Sequence, residues 1–114
     1  MPTDLEAKIT ARVIDARKKA ELDRRDLADA LVLDLNSYGH YERGRYAFTI
    51  DQLFILSRVL NRSVPWLLGL DTGLTEAEDE LLACFRNTDD SGQNAVLSVA
   101  RSMARERPRP DSGS

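Results

Sequence analysis

Apolar residues recur at helical spacing along most of the chain. Leu5, Ile9, Val13 and Ala16 fall four, four and three residues apart, with Lys8, Arg12, Arg17, Lys18 and Lys19 on the other faces, which predicts an amphipathic helix ending near Ala20. Asp23 is a good N-cap for a second, short helix, in which Asp26 suits the helix dipole and Leu27, Ala28 and Leu31 form the inward face. After a brief break at Val32-Leu33, Asp34 caps a third helix that runs through Glu42 and is stopped by Gly44. Thr49 with Gln52 has the form of a capping box opening a fourth helix, with Leu53, Leu56 and Leu60 inside. Ser63 caps a fifth, with Pro65 in its first turn and Trp66, Leu67 and Leu70 as anchors.

Asp71-Thr72-Gly73 reads as a hinge. Beyond it Thr75 and Glu78 form another capping box, and Leu81, Leu82, Cys84 and Phe85 make the apolar stripe of a sixth helix. Asn87 through Gly92 is polar and turn-like, and Val96, Val99, Ala100 and Met103 then line one side of a seventh. Arg107-Pro108-Arg109-Pro110 and the final four residues are expected to be a disordered tail. The pattern therefore predicts an all-α protein, divided into residues 1–70, a helical extension over 71–106 and a tail over 107–114. Strand-type alternation is nowhere sustained.

Composition narrows the class. With 114 residues, 42% hydrophobic and 31% charged, the chain suits one soluble domain with an appendage and is too apolar to be wholly disordered. The single cysteine, Cys84, cannot cross-link the chain to itself, and its place on an apolar stripe predicts an inert buried thiol. With one histidine and no grouped ligands, the parts of a metal site or a Cys-His catalytic pair are missing, and no glycine-rich phosphate loop is present. No enzyme activity and no cofactor are expected. No apolar run approaches the roughly 20 residues that span a bilayer, and a cytoplasmic location is the default expectation.

The informative stretch is Leu22 to Arg45: a capped helix, a very short turn and a second capped helix, then Tyr41-Glu42-Arg43-Gly44-Arg45. Ala-Arg-Lys-Lys-Ala precedes it, and Ile-Asp-Gln-Leu, Leu-Ser-Arg-Val-Leu-Asn-Arg-Ser-Val and Trp-Leu-Leu-Gly follow. Over residues 5–70 this ordered set resembles the Cro/phage-repressor type helix-turn-helix family, also called the xenobiotic-response-element family. The resemblance implies a five-helix, lambda-repressor-like DNA-binding domain whose third helix lies in the major groove while the second crosses above it. It implies base contacts from Leu35, Asn36 and His40 and phosphate contacts from Arg24, Ser37, Arg43 and Arg45. It also implies a structural ion pair between Arg17 and Glu42.

The residues themselves allow this chemistry. Asn36, His40 and Arg43 are spaced four and three and share one helical face, an Asn amide can bond adenine N6 and N7 together, and a Leu side chain can pack on a thymine methyl. Tyr38 stands where an aliphatic residue is usual and is expected in the core, its hydroxyl reaching the edge. Val32 stands where resembling sequences have Gly, which leaves a remodelled turn open because a β-branched residue is costly at positive φ. Gly39 in mid-helix and Leu35 at a polar reader's place are further departures.

The extension resembles the helical pair that often follows this domain. Its apolar stripe either covers the domain's own core or forms a symmetric dimer interface, with Leu81, Phe85, Val96, Val99 and Met103 as the contacts. The leading expectation is a homodimeric repressor of transcription acting on double-stranded DNA. The alternative is a protein-interaction module or antitoxin with weakened DNA binding. Net charge, −3 over the whole chain, divides unevenly: residues 1–70 carry 11 Lys and Arg against 10 Asp and Glu, and residues 71–114 carry 5 against 9. The acidity belongs to the extension, and the near-neutral first part implies modest, salt-sensitive affinity for phosphates.

Overall fold

Each helix begins where a side chain can accept the free N–H groups of its first turn. In the computed structural model, which describes residues Thr3 to Pro110, seven helices follow one another: α1 (Asp4–Lys19), α2 (Arg24–Ala30), α3 (Leu35–Glu42), α4 (Ile50–Leu60), α5 (Val64–Leu67), α6 (Glu76–Arg86) and α7 (Asp90–Glu106). Among the described residues there is no strand. Thr3, Asp23, Asp34, Thr49, Ser63, Thr75 and Asp89 are the N-caps, each accepting from the backbone N–H three residues on. In α1, α2, α4 and α6 the third residue returns the bond, completing a capping box. α7 starts earlier than its apolar spacing suggests, because the Asp89 carboxylate accepts from the Gly92 N–H at 2.8 Å and draws Asp90 to Gly92 into the helix. Only Asn87, Thr88 and Asp89 remain between the last two helices.

The first five helices enclose the core. α1 packs on α3, α4 and α5, and α2 packs on α3 and α4. Val13, Leu27, Tyr38, Leu53, Leu56 and Leu67 are its fully buried side chains, joined by Ile9, Ala16, Ala28, Leu31, Leu60 and Trp66. Two expected members lie outside it. Leu5 is exposed in the first turn of α1, and Leu70 is exposed because the chain turns away at Gly69, whose φ is 76°. Cys84 is half-buried rather than buried, since little besides α7 packs on α6. α7 ends at Glu106, Arg107 to Pro110 are exposed without helical structure, and the rest of the expected tail, 111–114, lies outside the described residues. No helix is long and apolar enough to cross a membrane among the described residues.

The turn between α2 and α3 keeps the left-handed residue in spite of its side chain. Val32 has φ 57°, its N–H donates to Asp29 O at 3.1 Å, and the Leu33 N–H donates to Ala28 O at 2.8 Å. This paired closure is a Schellman motif, in which glycine is the usual left-handed residue, and it returns Leu33 to the core side. The turn is not remodelled, and the strain stays in Val32, whose side chain is 90% exposed and gains no packing in return.

Val32→Gly is therefore expected to stabilise the fold by about 1 kcal/mol, the relief of left-handed strain less the extra chain entropy of glycine. Urea denaturation measures it, and an unchanged or lower midpoint contradicts the assignment of strain.

Candidate nucleic-acid interface

The third helix presents one polar, accessible face. Leu35 and Asn36 are exposed, and His40 follows one turn later, half-buried with its ring edge-on to Tyr46 at 5.4 Å. Arg43 is the C-cap of α3. Gly44, at φ 80°, then closes a second Schellman motif, with its N–H donating to Tyr41 O at 3.0 Å and the Arg45 N–H to His40 O at 2.9 Å. The reversal returns Arg45 to His40. Arg43 Nη2 and Arg45 Nη1 lie 3.2 and 3.4 Å from His40 Nδ1. Guanidinium groups only donate, so in both contacts Nδ1 is the acceptor, which leaves Nε2 as the ring's donor.

Behind this face lies a buried carboxylate. Glu42 accepts from Arg17 Nε at 2.8 Å and Arg17 Nη2 at 3.3 Å, from Arg24 Nε at 3.1 Å, and from the Tyr38 hydroxyl at 2.7 Å. Its side chain is 5% exposed, Arg17 is buried as well, and Arg24 is 63% exposed at the surface end. Burial by itself would raise the Glu42 carboxyl, but the bonds from Tyr38, Arg17 and Arg24 outweigh it and hold the group below its ordinary value of 4.5. Burial, then the bond to Glu42, pushes the Tyr38 phenol upward. The Tyr38 hydroxyl thus ends inside the ion pair and not at the edge of the domain. Arg17 also donates to Leu22 O at 3.1 Å, which ties the end of α1 to the start of the next helix.

Between the start of α2 and the face of α3 is a concavity of about 870 Å³, whose lining includes Arg24, Arg25, Leu35, Asn36, Gly39 and Arg43. The structure gathers Leu35, Asn36, His40, Arg24, Arg43 and Arg45 on this side of the molecule. Ser37 differs: its backbone N–H donates to Asp34 Oδ1 at 2.6 Å, and that bond first, the Ser37 hydroxyl second, holds the Asp34 carboxyl below the usual range. The Ser37 side chain is half-buried beside that cap. Two residues of this surface went unnoticed in the sequence. Arg25 carries no motif signal, although its place in the first turn of α2 was legible. Tyr46 had no motif, and only the fold brings it against His40 and Tyr41.

The extension is held to the domain by polar contacts. The buried Arg62 donates to Glu76 O at 2.9 Å, and the buried Asp79 accepts from Ser63 Oγ at 2.6 Å and from the Ser63 N–H at 3.2 Å. Asn87 Nδ2 donates to Asn61 Oδ1 at 3.0 Å, and Lys19 pairs with Glu76 at 2.9 Å. No apolar residue of α6 or α7 enters the core. Leu81, Val96, Val99 and Met103 are exposed, Val99 by 63%, and Phe85 is half-buried.

Residues 13–67 match the model of a family described as Helix-turn-helix. No curated protein and no solved structure gives a match.

A depressed carboxylate contributes stability above its unfolded value that is lost as pH falls through the folded one. Glu42→Gln should cost about 3 kcal/mol at pH 7, where it leaves Arg17 buried without its counter-charge, and the difference from wild type should shrink below pH 4.5. Urea denaturation at pH 7 and in acid checks this. A pH-independent difference places the stabilisation elsewhere.

Proposed function

Residues 13–67 belong to the Cro/phage-repressor type of DNA-binding helix-turn-helix regulators, and from that premise we propose that the protein is a homodimeric repressor that occupies a pseudo-palindromic operator and obstructs transcription. In this reading α3 lies in the major groove and α2 crosses above it. The observation that carries it is the sorting of charge around α3. Leu35, Asn36 and His40 stand together with Arg43 among them, Arg24, Arg25 and Arg45 flank them, and the one carboxylate of α3, Glu42, is buried and paired. Asn36 reads adenine, Leu35 packs on a thymine methyl, and His40 offers Nε2–H to a base acceptor or a phosphate. Arg24 and Arg45 hold the sugar-phosphate backbone.

Dimerisation falls to the extension, through Leu81, Phe85, Val96, Val99 and Met103. The accessible surface, 8074 Å², exceeds the roughly 6,300 Å² expected of a compact monomer of this mass. The radius of gyration, 16.8 Å, exceeds the roughly 13 Å expected for the length. Joining two copies through a standard interface removes about 800 Å² from each, a little under half of this excess. Two joined copies then place their α3 helices one DNA turn apart, about 34–36 Å. A second reading, a protein partner in the manner of an antitoxin, is favoured by the exposed Ile50, Phe54 and Ile55 on α4.

Binding to the DNA upstream of the protein's own gene, measured against salt, is the test. A dimer that neutralises about eight phosphates gives a slope of roughly −7 in log K against log salt, and a flat response with no footprint removes the repressor reading. Asn36→Ala should reduce sequence discrimination by about 1–3 kcal/mol, whereas Arg24→Ala should weaken all sequences alike. In sedimentation the full chain should be a dimer and a chain ending at Leu70 a monomer; a dimeric truncation moves the interface out of α6 and α7.

A further inference from the structure

Gly39 is out of place in α3 on local grounds. Glycine is among the least favourable residues in a helix interior, and the backbone here makes no demand for it, since the positive-φ glycines are Gly44, Gly69 and Gly73. What Gly39 provides is an absent side chain. A Cβ built on it would stand 2.9 Å from Arg43 Nη1, 3.4 Å from Nη2 and 3.5 Å from Cζ, so the guanidinium of Arg43 occupies the space that any larger residue would fill. Side chains on a helix lean toward its N-terminus, over the residue four positions earlier, and Gly39 is that residue for Arg43. The cation is thereby drawn back from the end of α3 to its middle, into the concavity shared with Leu35 and Asn36. His40 Nδ1 accepts from Nη2 at 3.2 Å and steadies it there.

We propose that Gly39 and Arg43 form one base-reading unit, in which the gap left by Gly39 lets the Arg43 guanidinium donate to O6 and N7 of a guanine beside the base read by Asn36. The inference rests on α3 being the DNA-reading helix. It moves Arg43 from the phosphate contacts implied by family resemblance to the specificity-determining residues. A phosphate contact needs only a charge at the rim of the surface, whereas this head lies between the proposed readers. Of its five N–H groups one goes to His40, and the remainder can supply the two-pronged pairing that arginine makes with guanine. Gly39 acts through Arg43 as a positioning residue.

The test is selection by the full-length protein from a duplex library with a randomised centre. Fluorescence-anisotropy titrations then follow on the selected duplex and on copies carrying 7-deazaguanine or adenine at each guanine. The selected half-site should hold a guanine whose replacement weakens wild-type binding about tenfold, the discrimination expected of a bidentate pair. Arg43→Ala should bind the original and replaced duplexes alike, and Arg43→Lys should keep affinity for random DNA while losing the preference. Gly39→Ala separates function from folding. The group it displaces is the flexible end of a side chain, so the variant should denature at higher urea than wild type while losing preference for that guanine.

If Arg43→Ala weakens every duplex equally and lowers the salt slope by about 1, Arg43 is a phosphate contact and the proposal fails. If Gly39→Ala retains the wild-type preference, the positioning role fails. A library from which nothing is enriched overturns the DNA-reading role of α3 itself, and this inference with it, which is distinct from an enriched library without the guanine.

Discussion

The buried carboxylate of Glu42 is the constraint around which the α3 side of the molecule is built. A carboxylate removed from water is strongly unfavourable unless its lone pairs are used, and here Arg17, Arg24 and Tyr38 use them. Each donor comes from a different place: Arg17 from α1, Arg24 from the first turn of α2, Tyr38 from the core side of α3. The pair therefore sets how α3 lies against the two helices before it. The same arrangement neutralises the only negative group of α3, leaving its outer face to Asn36, His40 and the surrounding arginines. Arg24 faces both ways, since its Nε serves Glu42 while most of its side chain remains in water.

A different kind of constraint joins the extension to the domain. Arg62 lies over the Trp66 ring at 4.8 Å, with Arg12 also over that ring at 5.1 Å, and Arg62 reaches from there to the backbone of α6. Asp79 bonds the N-cap residue of α5. These contacts place α6 through charge and hydrogen bonds, and no hydrophobic residue of α6 or α7 joins the core. The uneven charge of the chain fits this layout. Acidic residues concentrate in the part held away from α3, and the cations near α3 face little competition from them.

Much of the fold was legible because it is written in contacts three or four residues apart. An N-cap and its third residue, an apolar stripe, or a glycine after a helix each act within one turn, so the starts of the second to sixth helices and the helix-turn-helix spacing could be read directly. The seventh helix begins ahead of its apolar stripe, within a run whose polar residues read as a turn, because the Asp89 cap draws Asp90 to Gly92 into it. For Val32, residue preference and turn geometry disagree. The geometry wins because the short connection between α2 and α3 requires a Schellman closure, whatever side chain occupies it.

The sequence by itself determined the all-helical class, the order of the helices and the set of residues on the outer face of α3, since these follow from periodicity and capping along one chain segment. Only the tertiary structure decided that Tyr38 donates into the Arg17–Glu42 pair, that Tyr46 closes on His40, and that Arg43 lies over Gly39. It also decided that the stripe on α6 and α7 leaves the core uncovered. These outcomes depend on which atoms meet once separate helices are docked and long side chains settle among them, and neither periodicity nor capping carries that information.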